Sequence, residues 1–373
     1  MLLTIILFIV ILGVLVFVHE FGHFYSARKL GVSVDEFGFG FPPKLFSIRK
    51  KETIYSINLI PFGGFVRLRG DQGETSGDPT SFTVQAAWKR LVILLSGVGM
   101  NIVLAAVLFS LVFALGVPAV FGDSEIPDGG KLTNPQLQIL EVIDNSPSTT
   151  IGLKTGDALV SLGGTAVTTV KQVHAITKQN GEKPIDIVIK RDNKDLALVI
   201  TPKALDPDAQ PSLGIAIAET GLITFPWYKA LWLGPWYALR ILGLIFVSLW
   251  DLVKNLFVQG GPSADVSGPI GIAVLTGQVA HLGFVYIIQF AGLLSLSLAA
   301  MNVLPLPALD GGRAFFIILE KIRKRPVSQK IENTIHTIGF YVLIGLILII
   351  SYRDLFKFGI SEKIGNYFKH LGS

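Results

Sequence analysis

His19, Glu20 and His23 fall in the pattern H-E-x-x-H, within Val18-His19-Glu20-Phe21-Gly22-His23. On a helix, positions i and i+4 share a face, so both imidazoles can address one metal ion while Glu20, one step round, faces the remaining coordination position. Neutral nitrogen ligands with one open position describe a zinc hydrolase. Zinc lowers the pKa of water to about 7, and a neighbouring carboxylate takes the proton as the water attacks a polarised carbonyl. The competing reading is a signal peptide or plain anchor whose polar flank contains two incidental histidines. A cleavable signal needs a basic n-region and a small-residue cleavage site. Met1-Leu2-Leu3-Thr4 has no basic side chain, and no A-x-A pattern follows the apolar run from Leu2 to Val18.

A catalytic zinc normally has three protein ligands plus water, so one is still missing. Among the carboxylates Asp310 stands out. Pro305 and Pro307 interrupt a helix just before it, and Gly311-Gly312 free the backbone beside it. Irregular backbone at membrane depth is tolerated where it lines a cavity, which substrate access demands. The alternative for Asp310 is the N-cap of a helix from Arg313 to Ile322, and Glu320 is the rival ligand.

The elements that must position these groups are set by composition. Half of the 373 residues are hydrophobic and only 16% are charged, and mean hydropathy is +0.58. Soluble chains carry about a quarter charged residues, so this composition implies membrane embedding. The absence of cysteine excludes disulfides, thiolate zinc sites and cysteine nucleophiles. A net charge of +5 without a basic face interleaved with readout residues excludes nucleic acid as a partner.

A first spanning helix occupies 1–24 and carries the histidines inward. The polar segment 25–90 holds ten Lys or Arg residues, which marks it as cytoplasmic. Within it, Val34 to Ile48 and Thr53 to Leu68 read as β-hairpins. The apolar stretch Ile60-Pro-Phe-Gly-Gly-Phe-Val-Arg either dips to the membrane surface and offers a strand edge to an unwound substrate, or is a small structural sheet. On the first of these readings Gly63, Gly64 and Phe65 are substrate-binding residues. Asp71 to Thr80 reads as a linker.

A second span covers 91–117, where Asn101 is an intramembrane amide in need of a partner and a candidate substrate contact; Gly97 and Gly99 read as helix-packing positions. Residues 121–217 return to a soluble composition. Strands are expected at Gln138–Ile143, Ala158–Leu162, Ile185–Lys190 and Leu196–Thr201, with a helix over Val170–Lys178. The run Ser146-Pro-Ser-Thr-Thr-Ile-Gly-Leu-Lys-Thr-Gly-Asp157 has the pattern of a PDZ domain, whose groove takes an extended peptide or chain end, or which blocks access to the membrane site. His174 on that helix is not expected to bind metal.

The segment 226–282 is hydrophobic but bears Arg240, Asp251, Lys254 and four tryptophans, which suits interfacial helices. A third span covers 283–310, a cytoplasmic loop with Lys321, Arg323, Lys324 and Arg325 covers 311–334, a fourth span covers 335–352, and a tail covers 353–373. Four crossings place Asp310 on the same side as the histidines; a fifth would separate them. The fold class is therefore membrane α-helical, with four transmembrane helices, a cytoplasmic-side β-hairpin region and an inserted extracytoplasmic PDZ domain of α+β type.

H-E-F-G-H on the first helix, Gly97-x-x-x-Asn101 on the second, the PDZ insertion, Ser267-Gly-Pro-Ile-Gly-Ile-Ala and Asn302-Val-Leu-Pro-Leu-Pro-Ala-Leu-Asp310-Gly-Gly together resemble the site-2 protease family of intramembrane zinc metalloproteases. The likeness is nearest to the bacterial regulator-of-sigma-E protease branch and covers nearly the whole chain. It implies that His19, His23 and Asp310 hold zinc, that Glu20 is the general base, and that Asn302 binds or polarises the substrate backbone. It also implies a multi-pass protein of the bacterial inner membrane whose site faces the cytoplasm. Its substrates would be single-pass membrane proteins such as anti-sigma factors or signal-peptide remnants. Two departures stand: one PDZ domain where the best-known relatives carry two, and Gly97-Val98 where Gly-Pro often precedes the Asn. A non-catalytic peptide-binding adaptor and a transporter are the rival classes; the intact H-E-x-x-H and Asp310 argue against the first, and the lack of inverted repeats against the second.

Overall fold

The computed structural model describes residues 2–71, 78–120, 127–191, 194–204, 211–258, 267–325 and 327–359. They form two compact units, one built from Met1–Ser110 and Trp232–Ser373, the other from Leu111–Leu231. Parts of the expected linker (72–77) and tail (360–373) lie outside the described residues.

The chain begins with α1 (Leu2–Lys29), β1 (Val34–Lys50), β2 (Thr53–Leu68) and α2 (Ala87–Leu115). Then come β3 (Val117–Val120), β4 (Lys131–Val142), α3 (Pro147–Thr150), β5 (Ala158–Leu162), β6 (Thr165–Ala166), α4 (Val170–Asn180), β7 (Ile185–Arg191), β8 (Lys194–Ile200) and β9 (Ile215–Thr224). The remainder is helical: α5 (Trp227–Val258), α6 (Pro269–Leu282), α7 (Phe284–Val303), α8 (Asp310–Arg323) and α9 (Gln329–Lys357).

Among the described residues, five helices are long and apolar enough to cross a membrane: α1, α2, α5 over Trp227–Asn255, α7 and α9. Their large apolar side chains are widely exposed, among them Leu2, Ile6, Val10, Val103, Val107, Tyr341, Leu348 and Ile349. Surfaces apolar all round are covered by lipid rather than water. The chain is a multi-pass membrane protein.

The elements that carry chemistry meet in one small core. Ala27 and Val32 from the end of α1, Val34 and Leu68 from the paired ends of β1 and β2, Ile93 and Leu94 of α2, and Ala314 and Ile317 of α8 pack together with Phe82. Gly22 lets α1 approach α2 closely, because a Cβ there would lie 2.8 Å from the Ser96 carbonyl carbon. β1 and β2 do more than form a simple hairpin: Phe37 pairs with Tyr55 on one side and with Val66 on the other. The first half of β1 is thus flanked on both sides, and its residues alternate between buried and half-buried as far as Gly40. From Phe41 to Lys50 every position is exposed.

The second unit is a seven-stranded antiparallel sheet in the order β3-β9-β4-β5-β7-β8, with β6 on β5. Leu137, Ile139, Leu159, Leu162, Ile187 and Ile189 fill its core with Val173 of α4. α4 opens on a capping box, Thr169 with Gln172. The aspartate of the G-L-K-x-G-D run is structural: Asp157 accepts from Lys154 N at 2.8 Å and from Arg191 Nε and Nη2 at 2.7 and 2.6 Å. The sheet extends beyond the expected 121–217, since β3 precedes that span and β9 runs to Thr224, pairing with both β3 and β4. The stretch expected as a loop from 311 opens instead with α8, an amphipathic helix whose Gly311, Gly312, Ala314 and Ile317 are buried.

Candidate metal centre

α1 presents His19 and His23 one turn apart on its buried face, each 6% exposed. Their Nε2 atoms are 3.2 Å apart. Asp310 Oδ2 completes a triangle, 3.0 Å from His19 Nε2 and 3.3 Å from His23 Nε2. Among the described residues this is the only group of three potential metal donors so placed. The rival Glu320 lies elsewhere, paired with Arg90 Nη2 at 3.0 Å and accepting from Val327 N at 3.2 Å.

α2 backs the histidines. His23 Nδ1 donates to the Ile93 carbonyl at 2.8 Å, which in a neutral ring leaves Nε2 without a proton and facing the triangle. Gly97 lies under both rings: a Cβ there would stand 2.7 Å from His23 Cε1 and 2.8 Å from His19 Cε1. Asn101, expected as a substrate contact, is fully buried with its amide 3.3 Å from His19 Nδ1.

Asp310 reaches the triangle because the chain folds back on itself. α7 ends at Val303, Ala308 takes a left-handed backbone at φ 71°, and α8 starts at Asp310. Asp310 does not cap that helix, because Leu309 is the N-cap and the carboxylate turns to the histidines. Gly311 and Gly312 are required by the fold-back, since a Cβ on either would press into the carbonyls of Val303, Leu304 and Leu306. Two further side chains hold this turn, and neither stood out in the sequence. His336 of α9 accepts from Ala308 N at 2.9 Å, and Arg313 Nη1 binds both Asp71 oxygens at 2.9 and 2.8 Å. A histidine inside an apolar span and an arginine directly after D-G-G were the available signals.

The remaining candidates sit around Glu20. Gly64 of β2 packs on it, so that an added Cβ would be 3.0 Å from Glu20 Cγ. Gly63 adopts φ +121°, where a side chain is strained. Phe65 lies against Gly38, and both Phe65 and Asn302, in the last turn of α7, are half-buried. The structure therefore brings His19, His23, Asp310, Glu20 and Gly64 together and sets Asn101 beside His19.

The donor set can be tested against zinc directly. With metal–nitrogen and metal–oxygen bonds of about 2.0–2.2 Å, two ligands of a tetrahedron are about 3.3 Å apart. The three edges here are 3.0, 3.2 and 3.3 Å. Two imidazoles and a carboxylate, without sulfur, match the ligand types of catalytic zinc, and three protein ligands leave one position open. The residues fit the ion.

Such an arrangement, an H-E-x-x-H helix completed by a distant carboxylate among apolar helices, defines a membrane-embedded metal-dependent hydrolase. Residues 7–346 match the model of Peptidase family M50, and the chain belongs to that family. It is similar to the regulator of sigma-W protease RasP of Bacillus subtilis, with 30% identity over 94% of this chain and 98% of the relative. It is also similar to the zinc metalloprotease RasP of Geobacillus kaustophilus, with 29% identity over 95% of this chain and 98% of that relative. Among solved structures, the PDZ domain of an SdrC-like protein from Listeria monocytogenes is 23% identical, covering 23% of this chain and 92% of that domain at a TM-score of 0.21.

Proposed function

We propose that this protein is an intramembrane zinc metalloprotease in which His19, His23 and Asp310 hold the ion and Glu20 is the general base. The observation that carries the reading is the 3.0–3.3 Å donor triangle with the carboxylate-bearing residue next to one of its corners. Bound there, zinc supplies Lewis acidity, acidifying water and polarising a scissile carbonyl. Glu20 takes the proton from the attacking water and returns it to the leaving amine. Its place beside the glycine pair of β2 brings the base next to a strand edge. An intact substrate helix shields its carbonyls in hydrogen bonds, so it unwinds before attack, and the edge of β2 around Gly63, Gly64 and Phe65 accepts the extended segment. Asn302, eight residues before Asp310, binds the substrate backbone.

The triangle supports a four-crossing topology. Donors 3.0 Å apart lie at one membrane depth, so an even number of crossings separates His23 from Asp310. α2 and α7 supply two, and α6 has only 14 residues, too short to span. α5 therefore lies along the interface, as its exposed Trp227, Trp232, Trp236 and Trp250 suit. Four crossings with basic residues after α1 and α8 put the site on the cytoplasmic side of the bacterial inner membrane and residues 121–217, as a PDZ domain, outside. The exposed Phe41, Leu45, Phe46, Ile48, Ile57, Leu59 and Ile60 of the hairpin then rest in the bilayer surface. The relative named regulator of sigma-W protease supports single-pass regulatory membrane proteins as substrates, and the PDZ groove takes a peptide or chain end.

The test uses the full chain in proteoliposomes with a single-pass model substrate. Native protein contains close to one zinc and cleaves; Glu20→Gln keeps the zinc and does not. Cleavage by Glu20→Gln at the native rate removes Glu20 from the mechanism, and native protein without zinc removes the metalloprotease reading.

A further inference from the structure

Three positions of α2 at i, i+4 and i+8, Ile93, Gly97 and Asn101, face the two histidines as a single stripe. Ile93 supplies the carbonyl that takes the Nδ1 proton of His23 at 2.8 Å. Gly97 supplies the space both rings occupy. Asn101 ends the stripe with its amide 3.3 Å from His19 Nδ1, and it is 0% exposed. Ser295 Oγ of α7 donates to the Asn101 backbone carbonyl at 2.8 Å, which fixes α2 at this level.

We propose that Asn101 is a positioning residue for the metal centre: its side-chain carbonyl accepts the Nδ1 proton of His19 and so turns the Nε2 lone pair toward the ion. The inference rests on the metal reading of the site. A neutral imidazole bound to a metal through Nε2 carries its proton on Nδ1, and the partner of that nitrogen must accept. An amide offers an acceptor at one end and two donors at the other, and a half-turn about its terminal bond exchanges them. Oδ1 is buried and makes no hydrogen bond where it points away from the ring, so the half-turn sacrifices none. With it, both ligand histidines are held the same way, each by an oxygen from α2. The helix behind the site thus sets which nitrogen of each ring is available to the ion.

Zinc affinity of the purified full chain, measured by competition with a chromophoric chelator at neutral pH, tests this apart from activity. Asn101→Leu and Asn101→Ala, which cannot accept, weaken zinc binding 10–100-fold. Asn101→Asp, which accepts but cannot donate, holds it at the native value or tighter. A packing role gives the reverse order, with the near-isosteric Leu mildest and the buried charge of Asp worst. That order, or native affinity in Leu and Ala, overturns the proposal, and the Asp and Ala variants decide it where Leu fails to fold. Native chain and Glu20→Gln serve as references. If neither binds zinc, the metalloprotease reading falls and takes this proposal with it; if both bind and the Asn101 variants match them, only the role of Asn101 is lost.

Discussion

Gly97→Ala adds one methyl group and removes the room for the metal. The new Cβ would stand 2.7 Å from His23 Cε1 and 2.8 Å from His19 Cε1, whereas ordinary contact begins near 3.4 Å. One ring or the helix must move by at least 0.7 Å, the difference between 3.4 and 2.7 Å. Neither ring is a flexible tip, since His23 is tied to the Ile93 carbonyl and His19 is buried beside Asn101. Metal–ligand distances tolerate about 0.2 Å, so the shift exceeds what a bound ion can absorb several times over. Loss of an orienting partner alone costs 10–100-fold, and displacing a ligand costs more, so zinc affinity should fall by at least about 100-fold, about 2.7 kcal/mol. Gly99→Ala is the internal control, the same change two residues on in the same helix, where nothing lies within 4 Å. Helix propensity favours alanine over glycine at both sites by about 0.5–1 kcal/mol, so the zinc-free forms should be no less helical than native protein. The assay pairs chelator competition with circular dichroism on all three proteins. Native affinity in Gly97→Ala, or an equal loss in Gly99→Ala, would refute the reasoning.

Asp157→Ala should destabilise the second unit by about 2–3 kcal/mol, because it removes the acceptor of Lys154 N and of two Arg191 bonds. The loss stays below that of a fully buried pair since Arg191 is 26% exposed. Hydrogen exchange over β5 should quicken while zinc content stays native; unchanged exchange counts against the structural role. His336→Leu removes the acceptor of Ala308 N and should lower stability by about 1–3 kcal/mol. His336→Asn, whose Oδ1 sits near the place of Nδ1, should recover most of it in thermal unfolding of the zinc-free chain. Glu36 gives the hairpin a pH dependence. Burial pushes its carboxyl up, but the bonds from Lys44 and Ser56 outweigh this and hold it below its ordinary value of 4.5. A group depressed on folding contributes stability above its unfolded pKa and loses it as pH falls through the folded one. Exchange protection of the hairpin should therefore hold down to about pH 4.5 and decline below it, with no such step in Glu36→Gln.

The parts of this protein that are local in the chain were legible from it. H-E-x-x-H needs only the helical repeat to place two rings together, and Pro305, Pro307 and the glycine pair mark the break before Asp310 without reference to anything distant. The strands of the hairpin and most of the sheet follow from alternation. β9 escaped because Ala216, Ala218 and Gly221 blunt its apolar pattern, and α8 was weakened by two glycines that look like breakers until the carbonyls of Val303, Leu304 and Leu306 are seen against them. Contacts that depend on how helices cross carry no such signature. Gly97 reads as one more small residue in a membrane helix, and only the crossing of α1 and α2 places it under the ligands. The same holds for Ile93, whose contribution is a backbone oxygen and so is independent of residue type.

This division has a chemical consequence. H-E-x-x-H specifies which atoms can bind an ion, but a free imidazole exchanges its proton between two nitrogens, and the motif does not choose between them. The choice is made seventy residues away for His23, by the Ile93 carbonyl. On the same helix face, two turns later, Asn101 stands at the corresponding nitrogen of His19. On the proposed metal reading, α1 and the first residue of α8 supply the donors, and α2 sets which ring nitrogen carries the proton. A variant on α2 can therefore empty the site while every ligand remains in the sequence.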